Sequence, residues 1–502
     1  MSGFPFTNLG ALIDRAKDPE ATALIDRSTS PPRTITYGGL DALADCVARG
    51  LLARGLRRGD RVAILAANST EFLASVYGAQ RAGLVAVPVN WRFPPATIAY
   101  VLENSGAALV LSDTARRPAV PAELPAIAFG TPEWEALLVP GPALTPITPA
   151  PAEPALFLYT SGSTGRPKGV VLSHQSHLWV VQQRLAGADI TRERVLIAAP
   201  LYHMNGLALA QLACAAHIPI ILLPQFSARG YLRAIGEHKA TWITGVPPMM
   251  AMLLAERDLL AATDTSSVRH VRCGSAPVSP ALLAAIQAAF PQARFVNGYG
   301  TTEAGPVVFG PHPQGLPTPP LSVGYPHPAV QLRLRAPDGS IGDEGVLEQK
   351  CPALMNGYWN RPDIRPPITE DGFYITGDVF RRDENGFHYV IGRVDDMFIS
   401  GGENIFPSEV EQVLETHPAV EQAAVVPVPD ELKGTKPVAF VVRRPEAAVT
   451  ENELKAHALA NAPAYMHPRR VWFLDALPLM GTNKIDKAQL TAWARERLAI
   501  TA

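Results

Sequence analysis

Apolar runs of strand length, each followed by an amphipathic stretch of helical length, constrain this chain more than any other feature. RVAILAAN (61–68) gives way to STEFLASVYGAQRAG (69–83) and then to LVAVPVN (84–90). Ser69 stands where a helix N-cap is expected, and Gly83 where the helix must stop. Strand, helix and strand in this order need a crossover connection, so the two strands lie parallel in one sheet. HVRCGSAPVSPALLAAIQAAFPQARFVNGYGTTE (270–303) repeats the unit. Ser279 is placed to cap, Pro280 takes the first helical position, and Leu282, Ile286 and Phe290 share one face. The alternation runs through much of the first 390 residues. It predicts an α/β fold with doubly wound, mostly parallel sheets, whose ligands gather at the loops that follow the strands. GSAP (274–277) and GYGTTE (298–303) are two such loops.

At 502 residues the chain exceeds what one hydrophobic core organises. After residue 393 the texture changes. SEVEQVLETH offers a capping box from Ser408 and Glu411, and TENELKAHAL another from Thr450 and Glu453. The strand-like AAVVPV and VAFVV lie between them, and RVWFLDAL follows. These features predict a large domain over 1–393 and a small α+β domain over 394–502. The polar, glycine-flanked GRVDDMFISGG (392–402) joins them as a hinge.

Hydrophobic residues make up 47% and charged residues 18%, so the chain is globular rather than disordered. A net charge of −2 supplies no basic field for nucleic acid or for an anionic membrane. Cys46, Cys214, Cys273 and Cys351 are too scattered for a CxxC zinc or redox site. The most apolar segment, LALAQLACAAHIPIILL (207–223), is broken by Gln211, His217 and Pro219. A span needs about 20 apolar residues, so it reads as a buried helix and strand. With no signal peptide at its start, the chain is expected to be cytoplasmic.

Several motifs carry chemistry. Between ALFLYT and GVVLSH lies SGSTGRPKG (161–169). Its amides, including those of Gly162 and Gly165, the hydroxyls of Ser161, Ser163 and Thr164, and Lys168 suit a phosphate-holding loop. Yet Gly169 follows Lys168 where a Walker motif has Ser or Thr, and a plain hairpin loop fits as well. In NGYGTTEAG (297–305), Tyr299 can stack on a base, Gly300 admits a ligand close to the backbone, Thr302 can donate to phosphate and Glu303 can bind magnesium. The same residues also make an ordinary loop. Asp378, after a glycine at a strand end, is suited to hold two ribose hydroxyls, with Arg393 reaching the sugar or a phosphate; a solvated turn is the alternative. Lys484 sits on a glycine-containing loop, LPLMGTNKIDK (477–487).

Together, in this order, and with PLYHMNG (200–206), GSAPVS (274–279) and NGYWNRP (356–362), these motifs resemble the adenylate-forming acyl-CoA synthetases. That family shares a superfamily with peptide-synthetase adenylation domains and beetle luciferases. The resemblance covers nearly the whole chain. It implies an ATP-dependent carboxylic acid–CoA ligase, with Mg²⁺, that makes an acyl adenylate and then a thioester. It implies catalytic roles for Lys484, Thr302 and Glu303, the last holding Mg²⁺. The loop Ser161–Lys168 would clamp the β- and γ-phosphates. Gly274, Ser275, Ala276, Pro277, Asn297, Gly298 and Tyr299 would surround the adenine, beside Gly300 and Thr301, and Asp378 and Arg393 would hold the ribose. Asp395 matches the hinge, and Ser400, Gly401, Gly402 and Glu403 the path of coenzyme A. Trp179, His203, Met204, Asn205, Val246, Ser275, Gly300 and Pro306 would line the acyl pocket. His203 reads equally as a core histidine. This lining suits an aryl acid or a short- to medium-chain acid. An adenylation enzyme that loads a carrier protein is the alternative, disfavoured because no carrier segment follows residue 502.

Overall fold

The computed structural model describes residues 4–160, 166–481 and 483–501. Two parallel-rich sheets build the large N-terminal domain. The first runs in the order Arg294–Gly298, His270–Gly274, Trp242–Gly245, Val195–Ile197, Ile220–Leu222, Thr22–Asp26, Arg33–Thr36. Its neighbours are parallel except for the final antiparallel pair. The second runs Tyr358–Trp359, Lys168–Ser173, Pro154–Thr160, Val85–Pro88, Arg61–Leu65, Ala107–Ser112, Ala126–Ala128. There Lys168–Ser173 doubles back antiparallel, and the strands beyond it are parallel.

The expected caps close the expected crossovers. Ser69 accepts from the amide of Phe72 at the start of helix Thr70–Arg81, and Ser279 does the same for Leu282 at Pro280–Ala289. Helix Met204–Ala216 is buried along its length apart from Asn205. A helix apolar on every face must lie inside a protein. This one shares a core with Leu24 and Ile220 of the first sheet and with Val62 and Leu156 of the second. Each fully buried leucine there contributes about 1.5–3 kcal/mol. Among the described residues no helix is long and apolar enough to cross a membrane.

The strand–helix alternation stops earlier than the sequence predicts. No helix is found between Ala289 and Pro407 among the described residues. An antiparallel sheet stands there instead, ordered Ile341–Gly342, Gln331–Arg335, Glu344–Lys350, Tyr374–Arg382, His388–Arg393. Tight turns at Gly339 and Gly386, with φ of 85° and 83°, reverse the chain directly, so no crossover helix is needed.

The smaller C-terminal domain pairs Glu403–Ile405, Phe398–Ser400, Gly434–Arg443 and Val420–Asp430, with Val471–Leu474 parallel to Gly434–Arg443. Alternate residues face opposite ways: Val425, Ala439 and Val441 into one core, Val426, Val438 and Phe440 into another. The Thr450–Glu453 capping box forms as expected. The Ser408–Glu411 box does not. Pro407 starts that helix two residues earlier, leaving Phe406 at the cap position with no side-chain bond. The Ser408 hydroxyl donates to the Ile391 carbonyl at 2.6 Å, and Glu411 accepts from the Val425 amide at 2.9 Å.

Candidate active site

Asp378 is the structural centre of the site. It lies within strand Tyr374–Arg382 rather than at a strand end, directly across from Arg393. The correction matters, because a mid-strand carboxylate is fixed by the sheet rather than by a loose turn. Only 7% of Asp378 is exposed. Arg393 donates to Oδ1 at 2.6 Å, and the Tyr299 hydroxyl donates to Oδ2 at 2.5 Å. Burial raises the Asp378 pKa above the ordinary value despite Arg393, Tyr299 and Lys484 nearby, which all act to lower it. A buried carboxylate costs several kcal/mol unless it is paired, and these partners are the pairing.

Lys484, from the other domain, comes near enough to act electrostatically on this carboxylate. Its loop is folded on itself, with the Met480 amide donating to the Lys484 carbonyl at 2.7 Å and Asn483 in the left-handed region, φ 59°. Arg92 holds the loop to the large domain through the Gly481 carbonyl at 3.3 Å and Asn483 Oδ1 at 3.2 Å. The Tyr202 hydroxyl donates to the Gly481 carbonyl at 3.4 Å. Burial lowers the Lys484 pKa, offset in part by Asp378. The same approach brings Lys484 close to His203, whose pKa falls to about 3, chiefly through burial and further through Lys484 and Arg92. His203 is therefore neutral at working pH, and its buried Nε2 has no hydrogen-bond partner among the described residues.

A second group joins the base of the phosphate-like loop to the NGYGTTE segment. Lys168 Nζ lies 4.4 Å from the centre of the Tyr358 ring, and the Tyr358 hydroxyl donates to Glu303 Oε1 at 3.3 Å. Among the described residues no group of three His, Cys, Asp or Glu could hold a metal by itself. One carboxylate fits a magnesium ion that takes its remaining oxygens from phosphates and water. Ser161, Gly162, Ser163, Thr164 and Gly165 lie outside the described residues.

The adenine-side motifs pack backbone on backbone. A Cβ on Gly274 would fall 1.9 Å from the Gly298 carbonyl, so only glycine allows the GSAP and NGY strands to meet. Ser275 follows with φ 65°. The Asn297 amide group donates to the Leu321 carbonyl at 2.7 Å, and Thr301 Oγ1 accepts from the Ala304 amide at 3.1 Å. Among the acyl-pocket candidates, Met204 and Val246 are buried, and Trp179 and Asn205 are partly so. Gly401 and Gly402, φ 59° and 91°, form the tight tip between strands Phe398–Ser400 and Glu403–Ile405. No hydrogen bond or ion pair among the described residues joins that tip to Asp378, Glu303 or Lys484. Asp395 is exposed, 3.8 Å from Arg393.

Sequence reasoning missed Arg92 and the bond from Tyr358 to Glu303. A single arginine after a strand carries no local signal, and the tyrosine stood out only as part of NGYWNRP.

Charged side chains from a large and a small domain thus gather around Asp378. The chain belongs to the AMP-binding enzyme family: residues 14–359 match the AMP-binding enzyme domain and residues 409–484 its C-terminal domain. It is 35% identical to a feruloyl-CoA synthase of an Amycolatopsis species over 491 residues, 95% of this chain and 97% of that one. It is 33% identical to the fatty acid–[acyl-carrier-protein] ligase ScoC of Streptomyces coeruleorubidus, over 95% of this chain and 98% of that one. ATP-bound MatB from Rhodopseudomonas palustris superposes with a TM-score of 0.87 at 31% identity, covering 97% and 98% of the two chains. The protein is an acid–thiol ligase of the AMP-forming acyl-CoA synthetase type, using ATP and coenzyme A.

Proposed function

We propose that the two half-reactions run through the residues gathered around Asp378. The observation that carries this reading is the meeting of Lys484, from the small domain, with Asp378 and Arg393 of the large one. A carboxylate is a weak nucleophile and an unreactive acyl donor. Its oxygen attacks the α-phosphorus of ATP, the bond to the β-phosphate breaks and pyrophosphate leaves. Two anions approach, so the site must supply positive charge in fixed positions. Lys484 lies between carboxylate and α-phosphate, and Thr302 donates to the α-phosphate. Asp378 and Arg393 hold the ribose, with Tyr299 against the adenine and orienting Asp378. Gly274, Ser275, Ala276, Pro277, Asn297, Gly298, Gly300 and Thr301 complete the nucleotide cradle. Ser161 to Gly165 and Lys168 hold the outer phosphates. Glu303 would hold a Mg²⁺ ion, which supplies charge neutralisation for the phosphates.

The second step needs the thiol to approach the adenylate carbonyl where Lys484 stands. In this reading residues 394–502 turn as a body about Asp395 against residues 1–393. Lys484 withdraws, and Ser400, Gly401, Gly402 and Glu403 line the path of coenzyme A. The sulfur adds to the carbonyl, the bond to AMP breaks and the thioester leaves.

The acid is an aryl or a short- to medium-chain carboxylic acid, held by Trp179, His203, Met204, Asn205, Val246, Gly300 and Pro306. Pyrophosphate and AMP release across a panel of acids, with and without coenzyme A, tests the assignment. Release of AMP must depend on both an acid and coenzyme A. AMP release with an acid but indifferent to coenzyme A would transfer the assignment to carrier-protein loading, a reading favoured by the similarity to ligase ScoC.

A further inference from the structure

Two arginines near the acyl-pocket candidates lie close enough to repel each other, and among the described residues neither has a carboxylate partner. Arg272 lies in strand His270–Gly274, two residues before the GSAP glycine. Val271 and Cys273 point into the core on one face of that strand, so Arg272 points to the other, alongside Gly274. Its guanidinium lies against Gly298: a Cβ there would fall 2.7 Å from Nε and 3.0 Å from Nη2. Arg184 approaches the same space from helix His174–Gly187. Val180, one turn earlier on the same helix face, has a methyl 3.1 Å from where a Gly305 Cβ would be. The Arg184 guanidinium stands 5.8 Å from the Trp242 ring centre, and Nη1 donates to the Ala208 carbonyl at 3.4 Å.

Among the described residues neither arginine forms an ion pair, and Arg272 forms no side-chain hydrogen bond. The Trp242 Nε1 donor, on the ring beside Arg184, is buried with no partner among the described residues. Burial and the proximity of Arg272 push the Arg184 pKa down to about 9, so it still carries charge at neutral pH. Every one of these groups is a donor, and among the described residues the Ala208 carbonyl is the one acceptor they meet and no carboxylate faces them. Uncompensated like charges in an interior are unfavourable, and an anion that accepts several hydrogen bonds is their natural complement.

The position sets the length of the ligand. His203, near Lys484, begins helix Met204–Ala216, and Ala208 lies five residues along it. Five residues of helix rise about 7.5 Å. The arginines therefore stand one short carbon chain deeper than the reacting carboxylate.

We propose that Arg184 and Arg272 form the inner end of the acid site and select a short carboxylic acid that carries a second anionic group, a carboxylate or sulfonate, at its far end. The proposal rests on the ligase reading above and names its substrate class. Matched pairs test it: butanoate against succinate, pentanoate against glutarate, and butanoate against 3-sulfopropanoate. Pyrophosphate release by the full chain should favour the doubly charged member by about tenfold or more in kcat/KM. The carboxylate and sulfonate arms show which anion fits better. Arg272→Met and Arg184→Met should each abolish or reverse the preference while leaving the KM for ATP unchanged. Their melting temperatures should not fall, since removing an unpaired buried charge relieves the fold. Arg272→Lys should keep part of the preference, a check that holds if the methionine variant folds poorly. Preference for the uncharged member in every pair, or a preference that survives both methionine substitutions, would overturn the proposal. Calorimetric titration of the same acids separates this failure from that of the ligase reading. If no acid releases pyrophosphate the ligase reading fails. Succinate binding lost in both methionine variants would still support the anion site, and equal binding of butanoate and succinate would refute it.

Discussion

Arg393 and Lys484 both bring positive charge to Asp378, but by opposite routes. Arg393 sits across from it in one antiparallel sheet, with a 2.6 Å bond set by strand register. Lys484 arrives on a loop of the small domain that, among the described residues, the large domain holds by hydrogen bonds from Arg92 and Tyr202. A charge fixed by register is present throughout the catalytic cycle. A charge delivered by a docked loop is present only while the loop is docked. Under the proposed mechanism one carboxylate has a permanent partner for binding and a removable partner for chemistry.

The sharpest way to break the comparison is Lys484→Ala. A positioned charge at a phosphoryl transition state is worth about 10²–10³ in rate or more, so adenylate formation should fall by at least that much. Thioester formation from a supplied acyl adenylate and coenzyme A should stay near its normal rate. Equal losses in both half-reactions would mean that Lys484 never leaves the site.

Asp378→Ala comes next and should separate binding from chemistry. Each charge-assisted bond to the ribose is worth about 1.5–3 kcal/mol. The KM for ATP should rise about tenfold or more, and the thioester step should be slowed far less. An unchanged KM for ATP would remove the ribose from Asp378. Arg92→Ala should have a smaller effect. Two neutral carbonyl acceptors lose one donor, about 0.5–1.5 kcal/mol for each bond. Adenylate formation should slow about tenfold or less, and the half-reaction with a supplied adenylate should be unaffected. If Arg92→Ala slowed both halves alike, the loop would be part of the fold rather than a removable contact.

The sequence made the charges of this comparison more legible than the contacts that hold them. Asp378, Arg393 and Lys484 stood out because glycine-flanked motifs mark them. Tyr299 was read for its ring, and the bond from its hydroxyl spans 79 residues to Asp378, beyond any local pattern. Arg92, Arg184 and Arg272 are single charges on a loop, a helix and a strand, and only the packing of separate elements shows what each stands beside. The fold divides the same way. Crossover units were visible because two periodicities alternate, and the Thr450 cap because nothing competes for its hydroxyl. The Ser408 cap failed because Pro407 starts that helix and Ile391, from the large domain, takes the hydroxyl. The antiparallel sheet before it was missed because alternation marks a strand but does not name its neighbour.

The smallest expected effect tests docking itself. Glu415 of the small domain lies beside Ser279, the cap of a large-domain helix, and also accepts from the Ala423 amide at 3.0 Å. Burial raises its pKa to about 7, and the nearby Glu411 adds to this, while Ser279, Ala423 and Arg444 oppose it. A carboxyl whose pKa is higher in the packed state than in water binds its proton more tightly there. Packing of the domains is then fully favoured below the ordinary glutamate pKa and weakens as pH rises through about 7. The limit is about tenfold for each pH unit, and whatever burial Glu415 keeps after the domains part reduces it. Adenylate formation, which in the proposed mechanism needs Lys484 docked, should lose rate on this alkaline limb, whereas thioester formation from a supplied adenylate should not. Glu415→Gln keeps the shape and cannot ionise, so it should flatten the limb. The limb's persistence in that variant would assign it to another group and would leave the docked loop indifferent to the charge at Glu415.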